Sequence, residues 1–410
     1  MNGGGKEWLE SLSTRGIRPG LESITCILDA LGSPQKAYRT IHVAGSDGKG
    51  SVCCMLESIL ISAGYRVGMF TSPHIISVNE SIRINGSDIS DEALEKSLLV
   101  IKETSERTCG CTNFEALAAC AFLAFKEACV DIAIIEVGMG GRLDATNVLE
   151  PDVTVINNIG MEHTQYLGND LGSIAAEKAG IMKPGIPCVT INTGDALKVI
   201  ETKAVELGCP LTCVDPDDID VLNCAPDHTL IRYDCKTYRL GLPGSYQGRN
   251  AVLAIEALLC LKDSAKIKQF ITIGLDEAFW PCRMQKLDDL PIILDATHTV
   301  KGAEFLSMDI GRIYGKVILV TAMLNDKDMD GVARNLSKIA TKVLISSPDS
   351  PRAASAEALA SHYKKYHDDV ALYSTVPKAV EAALDQRGTV LVTGSFRTAE
   401  DCLRWLRRKR

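Results

Sequence analysis

The sequence predicts an α/β protein, and three features carry that reading. Short β-branched runs alternate with amphipathic or alanine-rich segments for almost the whole length, the pattern of parallel strands joined by helices. Residues 40–51, TIHVAGSDGKGS, run from a strand through a glycine-rich turn straight into a helix. The chain has 410 residues, which at roughly 150 per domain is enough for two or three independent cores.

In chain order, strands are expected at 40–44, 66–71, 131–137, 153–156, 188–191, 292–294, 316–321, 342–345 and 389–393, each a short apolar run rich in Val, Ile or Thr. Helices are expected at 51–63, 91–108, 113–128, 172–179, 250–261 and 399–408. Between residues 211 and 242 the alternation breaks into an Asp- and Pro-rich stretch, 213–220, and then the short runs 229–233 and 236–240. That reads as a β-rich extension of the first domain. Pro281 and the charged run 286–289 precede a fresh strand, so the expected domains are 1–285 and 286–410.

Composition excludes several functions. Hydrophobic residues at 46% and charged residues at 23% describe a chain that folds. Forty-four Lys and Arg against 52 Asp and Glu leave a net charge of −8, so there is no global basic field for nucleic acid or an anionic membrane. An anionic substrate has to be captured locally. Glu7 and Glu10 stand where a signal peptide needs an apolar stretch, and the longest apolar run, 116–125, is far short of a span of ~20 residues, so a cytoplasmic protein is expected. Fifteen cysteines scatter from Cys26 to Cys402 without a C-x-x-C pair, which argues for buried free thiols over a metal site. The basic tail Arg404, Arg407, Arg408, Lys409, Arg410 is interleaved with Leu403, Trp405 and Leu406 and reads as the cation-rich last turn of a terminal helix.

The turn after the first strand is the strongest chemical signal. Gly45, Gly48 and Gly50 let backbone N–H groups approach phosphate oxygens, the helix N-terminus adds its positive end, and Lys49 supplies a cation. A plain strand-to-helix turn would need one glycine and no lysine. Gly50 occupies the place where the common phosphate loop has a Mg²⁺-binding Ser or Thr, so metal ligands must come from elsewhere. Candidates follow the next strands: Ser72 in TSPH, Glu136 at a strand end, His163 in NIGMEHTQYLG, and Lys178 in AAEKAGIMKPG. Singly, each has a plain structural reading. Jointly, they place a hydroxyl, a carboxylate and an imidazole at the same sheet edge as the loop.

HVAGSDGKGS, GYRVGMFTSPH with NESIRING, IIEVGMGGRLDATN, GMEHTQYLG and EKAGIMKPG resemble, in order, the signatures of the folylpolyglutamate synthase and dihydrofolate synthase family of the Mur ligase superfamily. GSYQGRNA, WPCR, LDATHT, AMLNDKD, PRAASAEAL and VTGSF continue the likeness to the end of the chain. The resemblance implies a Mur-ligase-like P-loop ATPase domain with a mostly parallel sheet and a smaller C-terminal Rossmann-like α/β domain. It implies an ATP-dependent amide ligase, typically a monomer, that adds L-glutamate to a folate or dihydropteroate carboxylate through an acyl phosphate.

By similarity, ATP lies on Asp47, Gly48, Lys49, Gly50 and Ser51, with Asn250, Arg283, Asp295 and His298 completing the nucleotide site. Magnesium ligands map onto Ser72, Glu136 and His163. Lys178 matches a lysine that is carbamylated in the family and so serves a second Mg²⁺. The catalytic set is Lys49, Glu136, His163 and Lys178. The acceptor end is implied at Thr112, Asn113, Phe114, Glu115 and Asp144, beside the loop Arg18-Pro19-Gly20. Arg283 and Asp295 lie in the interdomain segment and the second domain, so the likeness also implies domain closure.

The sequence departs from the family pattern at three places: Ser46-Asp47 replaces Thr-Asn, Asp295-Ala-Thr-His298-Thr299 replaces Asp-x-Ala-His-Asn, and Arg18-Pro19-Gly20 differs in the first loop. Two rivals compete with the family reading. One is a Mur-type ligase acting on another carboxylate, such as a different pterin or a tetrapyrrole. The other is a nucleotide-binding regulator without chemistry, against which the retention of Glu136, His163 and Lys178 argues.

Overall fold

The computed structural model describes residues 4–16, 18–287 and 289–409. The chain forms two compact units: residues up to 219 together with 249–278, and 220–248 together with 279 onward.

Among the described residues the first unit is built on an eight-stranded sheet. Its strands are β1 (Arg39–Ala44), β2 (Val67–Phe70), β3 (Ile82–Ile84), β4 (Ser87–Asp88), β5 (Ile132–Glu136), β6 (Val153–Ile156), β7 (Cys188–Thr190) and β8 (Leu211–Cys213). Their order is β4-β3-β2-β5-β1-β6-β7-β8. From β2 to β8 all pairings are parallel, and β3 and β4 close one edge antiparallel. Strands β2, β5, β6 and β7 are buried along their whole length and β1 along all but its first residue, which explains their unbroken apolar runs.

The order positions the site. After β1 the chain crosses over β5 to reach β2, whereas β6, β7 and β8 run to the other side. The reversal between β1 and β6 opens a crevice at the carboxyl ends of these strands. One face carries a core of Ile24, Ile27, Leu94, Leu98, Phe122, Phe125 and their neighbours; Ile156, Ala179, Ile181 and Ile200 belong to a second cluster. The helix after β1, Lys49–Ser62, is buried over most of its circumference, including Glu57, which Arg83 neutralises at 3.3 Å.

The second unit holds a three-stranded antiparallel ribbon, β9 (Asp220–Cys224), β10 (Thr229–Tyr233) and β11 (Lys236–Leu240), and a six-stranded sheet. The sheet comprises β12 (Gln285–Lys286), β13 (Ile292–Leu294), β14 (Val317–Thr321), β15 (Ala340–Ile345), β16 (Val370–Leu372) and β17 (Val390–Thr393), in the order β12-β13-β17-β14-β15-β16. All its pairings are parallel except β12 with β13.

The boundaries differ from those read in the sequence. Residues 220–248 were expected in the first domain but cluster with the second unit, as do 279–285. Hydrogen bonds explain the first: Thr229 Oγ1 ties the ribbon to Gly244 O at 3.2 Å, and the adjacent Ser245 donates through N and Oγ to Asp309 Oδ2 of the second unit at 2.7 and 3.0 Å. Gln285 joins the second sheet by pairing with Leu294. The β-pattern of the ribbon is visible in the sequence, but its partner surface is about sixty residues further on and leaves no local trace.

The strands expected from the apolar runs all form, within one or two residues of the expected ends. Strands β3, β4, β8, β12 and β16 were not expected because two or three half-exposed residues carry no period. Nine cysteines are buried as small hydrophobes, whereas Cys26, Cys109, Cys129, Cys213 and Cys235 are exposed, so the buried-thiol reading holds for the majority and not for these five. The last helix is Phe396–Lys409, with Arg407, Arg408 and Lys409 in its final turn; Arg410 and Asp288 lie outside the described residues. No helix among the described residues is long and apolar enough to cross a membrane.

Helix Ile271–Glu277 presses on the helix after β1 through Gly274, where a Cβ would meet the backbone of Ile59, 2.7 Å from its N. Backbone cannot swing aside as a side chain can. Gly274→Ala is therefore expected to lower stability by about 1–3 kcal/mol, measured as a shift in the urea midpoint at unchanged m-value.

Candidate functional site

Gly48 caps the helix Lys49–Ser62 with φ +80°, and Gly45 precedes it at φ +149°. Both conformations favour glycine, and close neighbours enforce the choice. A Cβ on Gly48 would lie 2.7 Å from Asn157 Nδ2 and would run into Asn250 Oδ1; one on Gly45 would lie 2.8 Å from Asn157 Cβ. Asn157 and Asn158, at the end of β6, hold the loop from beneath. Asn157 Nδ2 donates to Asn250 Oδ1 at 2.9 Å, Ser46 N donates to Asn158 O at 2.8 Å, and Asp47 N donates to Asn158 Oδ1 at 3.2 Å. Ser46 Oγ also accepts from Gly160 N at 2.9 Å. The backbone amides at the helix start are thus fixed before any anion arrives, the geometry of a phosphate cradle. Ser51 Oγ, one turn in, is buried with no hydrogen-bond partner among the described residues, so a polar group there is left for a ligand to satisfy.

Charge converges on this loop. Lys49 Nζ donates to the carbonyls of Gly45 and Ser46, both at 3.1 Å, and Lys178 Nζ donates to Gly45 O at 2.9 Å and to Glu162 Oε1 at 2.8 Å. Burial opposes the charge on Lys49, yet Glu162, Glu136 and Asp47 outweigh it and hold its pKa above the ordinary lysine value. For Lys178, burial prevails and, with Lys49 adding repulsion, lowers the pKa despite Glu162. Burial would raise Glu162, but Lys49 and Lys178 together bring it down to about 2.

Ser72 N donates to Glu136 Oε2 at 3.1 Å, so the carboxylate is held by the backbone amide of Ser72 and this bond does not involve the expected hydroxyl. His163, at φ +48°, stands with Nε2 4.0 Å from Glu162 and opens the helix Thr164–Leu167. Among the described residues no three His, Cys, Asp or Glu side chains form a metal cage. The oxygen donors present suit a hard cation that takes its remaining ligands from phosphate and water.

The acceptor residues resolve into different roles. Thr112 and Glu115 form a capping box: Thr112 N and Oγ1 donate to Glu115 Oε2 at 2.7 and 2.8 Å, and Glu115 N returns to Thr112 Oγ1 at 3.3 Å. Asn113 Nδ2 donates to Leu9 O at 2.7 Å. Phe114 lies over Gly138, where a Cβ would come within 2.5 Å of its ring, and against Phe70 at 5.8 Å, which puts an aromatic face beside the ends of β2 and β5. Asp144 is buried and occupied: Met139 N donates to Oδ2 at 2.9 Å, and Thr146 N and Oγ1 donate to Oδ1 at 3.0 and 2.5 Å. His42, which burial holds neutral with a pKa near 3, meets Thr146 Oγ1 at 2.8 Å and ties this loop to β1. Asp144 therefore shapes the turn after β5.

In the second unit, Asp295 is buried and accepts from Met284 N at 2.9 Å and Thr297 N at 2.8 Å. It thereby anchors a turn in which Cys282 and Met284 adopt φ +56° and +44° around Arg283. The Arg283 guanidinium lies 5.3 Å from the centre of the Phe396 ring, and His298 lies 5.8 Å from the same ring. Thr299 caps the helix Val300–Ile313, accepting from Gly302 N at 3.1 Å, so the departure from Asn is structurally conservative.

Three residues were missed. Glu162 stands beside His163, whose imidazole drew the metal assignment. Asn157 looks like a strand end, and nothing local announces its bond to Asn250. Glu80 accepts from the N–H groups of Ile75, Ile76 and Ser77 at 2.7, 3.2 and 3.0 Å, fixing the backbone that follows TSPH. It lies within NESIRING, whose spacing carries no sign of this mechanical role.

Two family models match the chain: the Mur ligase middle domain over residues 43–258 and the Mur ligase glutamate ligase domain over 282–396. A dihydrofolate synthase/folylpolyglutamate synthase of Bacillus subtilis is 37% identical, covering 95% of this chain and 96% of that protein. The solved structure of Escherichia coli FolC in complex with DHPP and ADP superposes with a TM-score of 0.87 at 30% identity, over 99% of this chain and 98% of that one. A bifunctional folylpolyglutamate synthase/dihydrofolate synthase with Mn, AMPPNP and L-glutamate bound gives 0.84 at 30% identity, over 99% and 98%.

Glu162 supplies a pH test. Its folded pKa, about 2, lies below the ordinary 4.5, so the ion pair stabilises fully above about pH 4.5 and its contribution fades as pH falls toward 2. Glu162→Gln removes the carboxylate that offsets buried Lys49 and accepts from Lys178 Nζ, and is expected to cost about 3 kcal/mol near neutrality. In denaturant titrations the gap between the two proteins should narrow steadily from pH 5 to pH 2; a constant gap would contradict the pairing.

Proposed function

Because the chain belongs to the folylpolyglutamate synthase/dihydrofolate synthase family of Mur ligases, we infer that it is an ATP-dependent ligase that joins L-glutamate to a folate or dihydropteroate carboxylate. The observation that carries this reading is the braced loop at the β1/β6 crevice. There Lys49, kept charged by Glu162 and Glu136, stands at the start of a helix whose amides are already aimed.

A carboxylate is a poor acylating agent, so the γ-phosphoryl group of ATP is first transferred to it. The glutamate amine then attacks the acyl phosphate, an amide forms, and inorganic phosphate leaves. Each step needs orientation and charge compensation more than a protein nucleophile. Amides at residues 48–51 hold phosphate oxygens, and Lys49 turns from the Gly45 and Ser46 carbonyls to the transferring group. Asn157 and Asn158 keep the loop from shifting as charge develops. Phe114 offers the acceptor's flat ring a surface, while Asp144 and the capping box Thr112–Glu115 hold the turns around it. The nucleotide role that the resemblance gives Asp47, Asn250, Arg283, Asp295 and His298 belongs to the same proposal.

The donor set fits Mg²⁺. Ser72, Glu136 and His163 would hold one ion and a carbamylated Lys178 a second, and Mg²⁺ when bound neutralises phosphate charge. Carbamylation adds CO₂ to the Lys178 amine with loss of a proton, and burial favours the neutral amine this requires. The protein is proposed to work as a monomer in the cytoplasm.

With ATP, Mg²⁺ and glutamate, the protein should release phosphate and yield a glutamylated product from dihydropteroate or tetrahydrofolate, identified by mass. Lys49→Ala is expected to lower turnover by roughly 10²–10³-fold. Full glutamate-dependent turnover in that variant would remove the loop from the mechanism. Incubation with ¹³C-bicarbonate should give a carbamate carbon resonance that disappears in Lys178→Ala.

A further inference from the structure

Two of the exposed cysteines lie on neighbouring segments of the first unit. Cys26 lies on the helix Glu22–Ala30, and Cys109 lies in the turn after the helix Asp91–Arg107. The Cys109 thiol donates to the carbonyl of Ser23 at 3.5 Å. Ser23 is three residues before Cys26 and on the same face of that helix. That contact sets the Cys109 sulfur against the helical turn that carries Cys26. Cys129, exposed as well, donates instead to Glu127 O two residues away. Gly110, at φ +69°, closes the turn that carries Cys109, its N–H donating to Ser105 O at 2.9 Å; a disulfide here needs the two sulfurs to close to about 2.05 Å.

We propose that Cys26 and Cys109 form a dithiol site that a low-molecular-weight disulfide converts reversibly to a protein disulfide. One thiolate attacks the small disulfide, forming a mixed disulfide and expelling one small thiolate. The second protein thiolate attacks the protein sulfur of that mixed disulfide and expels the other. The two cysteines are oxidised by two electrons in all, the small disulfide is reduced to two thiols, and the protons of the cysteines end on those thiols. The new bond would tie the turn that leads into Thr112 to the helix that follows Arg18-Pro19-Gly20. These are the two segments assigned above to the acceptor, so that consequence rests on the ligase reading. The disulfide itself does not.

The test incubates the full-length protein with oxidised and reduced glutathione at fixed ratios, blocks free thiols by alkylation and maps the peptides by mass. The expected result is a Cys26 peptide joined to a Cys109 peptide, with loss of two of the fifteen thiols and recovery in dithiothreitol. In Cys26→Ser, Cys109 should stop at the glutathione adduct, and Cys109→Ser should trap Cys26 in the same way. Separate adducts on both cysteines of the unsubstituted protein, or linkage no faster than modification of Cys129, Cys213 and Cys235, would overturn the proposal. A reduced protein that links these cysteines on oxidation but glutamylates no pterin would count against the ligase reading alone.

Discussion

Lys49 is buried and charged, and that charge is tolerable only because carboxylates from different parts of the chain converge on it. Glu136 ends β5, Glu162 follows β6, and Asp47 lies in the loop itself. Strand order is what brings them together: β1 sits between β5 and β6, so the segments leaving all three emerge at one edge. A net charge of −8 is then no obstacle to binding a polyanion. The acidic groups keep the lysine protonated, and the phosphates meet a local arrangement of amides and one ammonium group.

The same economy shows in the residues that do not touch the reacting groups. Asn157, Glu80, Asp144 and Asp295 each accept or donate to loop backbone, and each fixes a turn at a strand end. Asn157, Asp144 and Asp295 are buried, and buried polar side chains cost free energy unless every bond is made, so they tolerate few alternative conformations. The loops they hold are irregular but not loose.

Legibility in the sequence followed the range of the interaction. Parallel strands buried on both faces and the glycines and Lys49 of the phosphate turn rest on local spacing and were readable; the helix caps at Thr112 and Thr299 are equally local and went unread. Glu162 was overlooked beside His163, because a carboxylate next to an imidazole has no signature of its own. The bond between Asn157 and Asn250 spans 93 positions, and the seating of the ribbon against Asp309 spans 64; no periodicity records such distances. For Asp144 the family likeness supplied a role, whereas the structure shows what the side chain does: it closes a turn.

The chain passes from one unit to the other three times, near residues 219, 248 and 278, and this affects the order of synthesis. When the ribbon β9–β11 leaves the ribosome, the sheet it belongs with has not been made. The first unit, for its part, still lacks the segment that carries Asn250 and Gly274. Domains ordinarily fold one after another as they emerge. Here the amino-terminal unit cannot close until residue 278 is out, and the other waits for β17, near the end. The nascent protein therefore carries unsatisfied apolar surface through most of its translation.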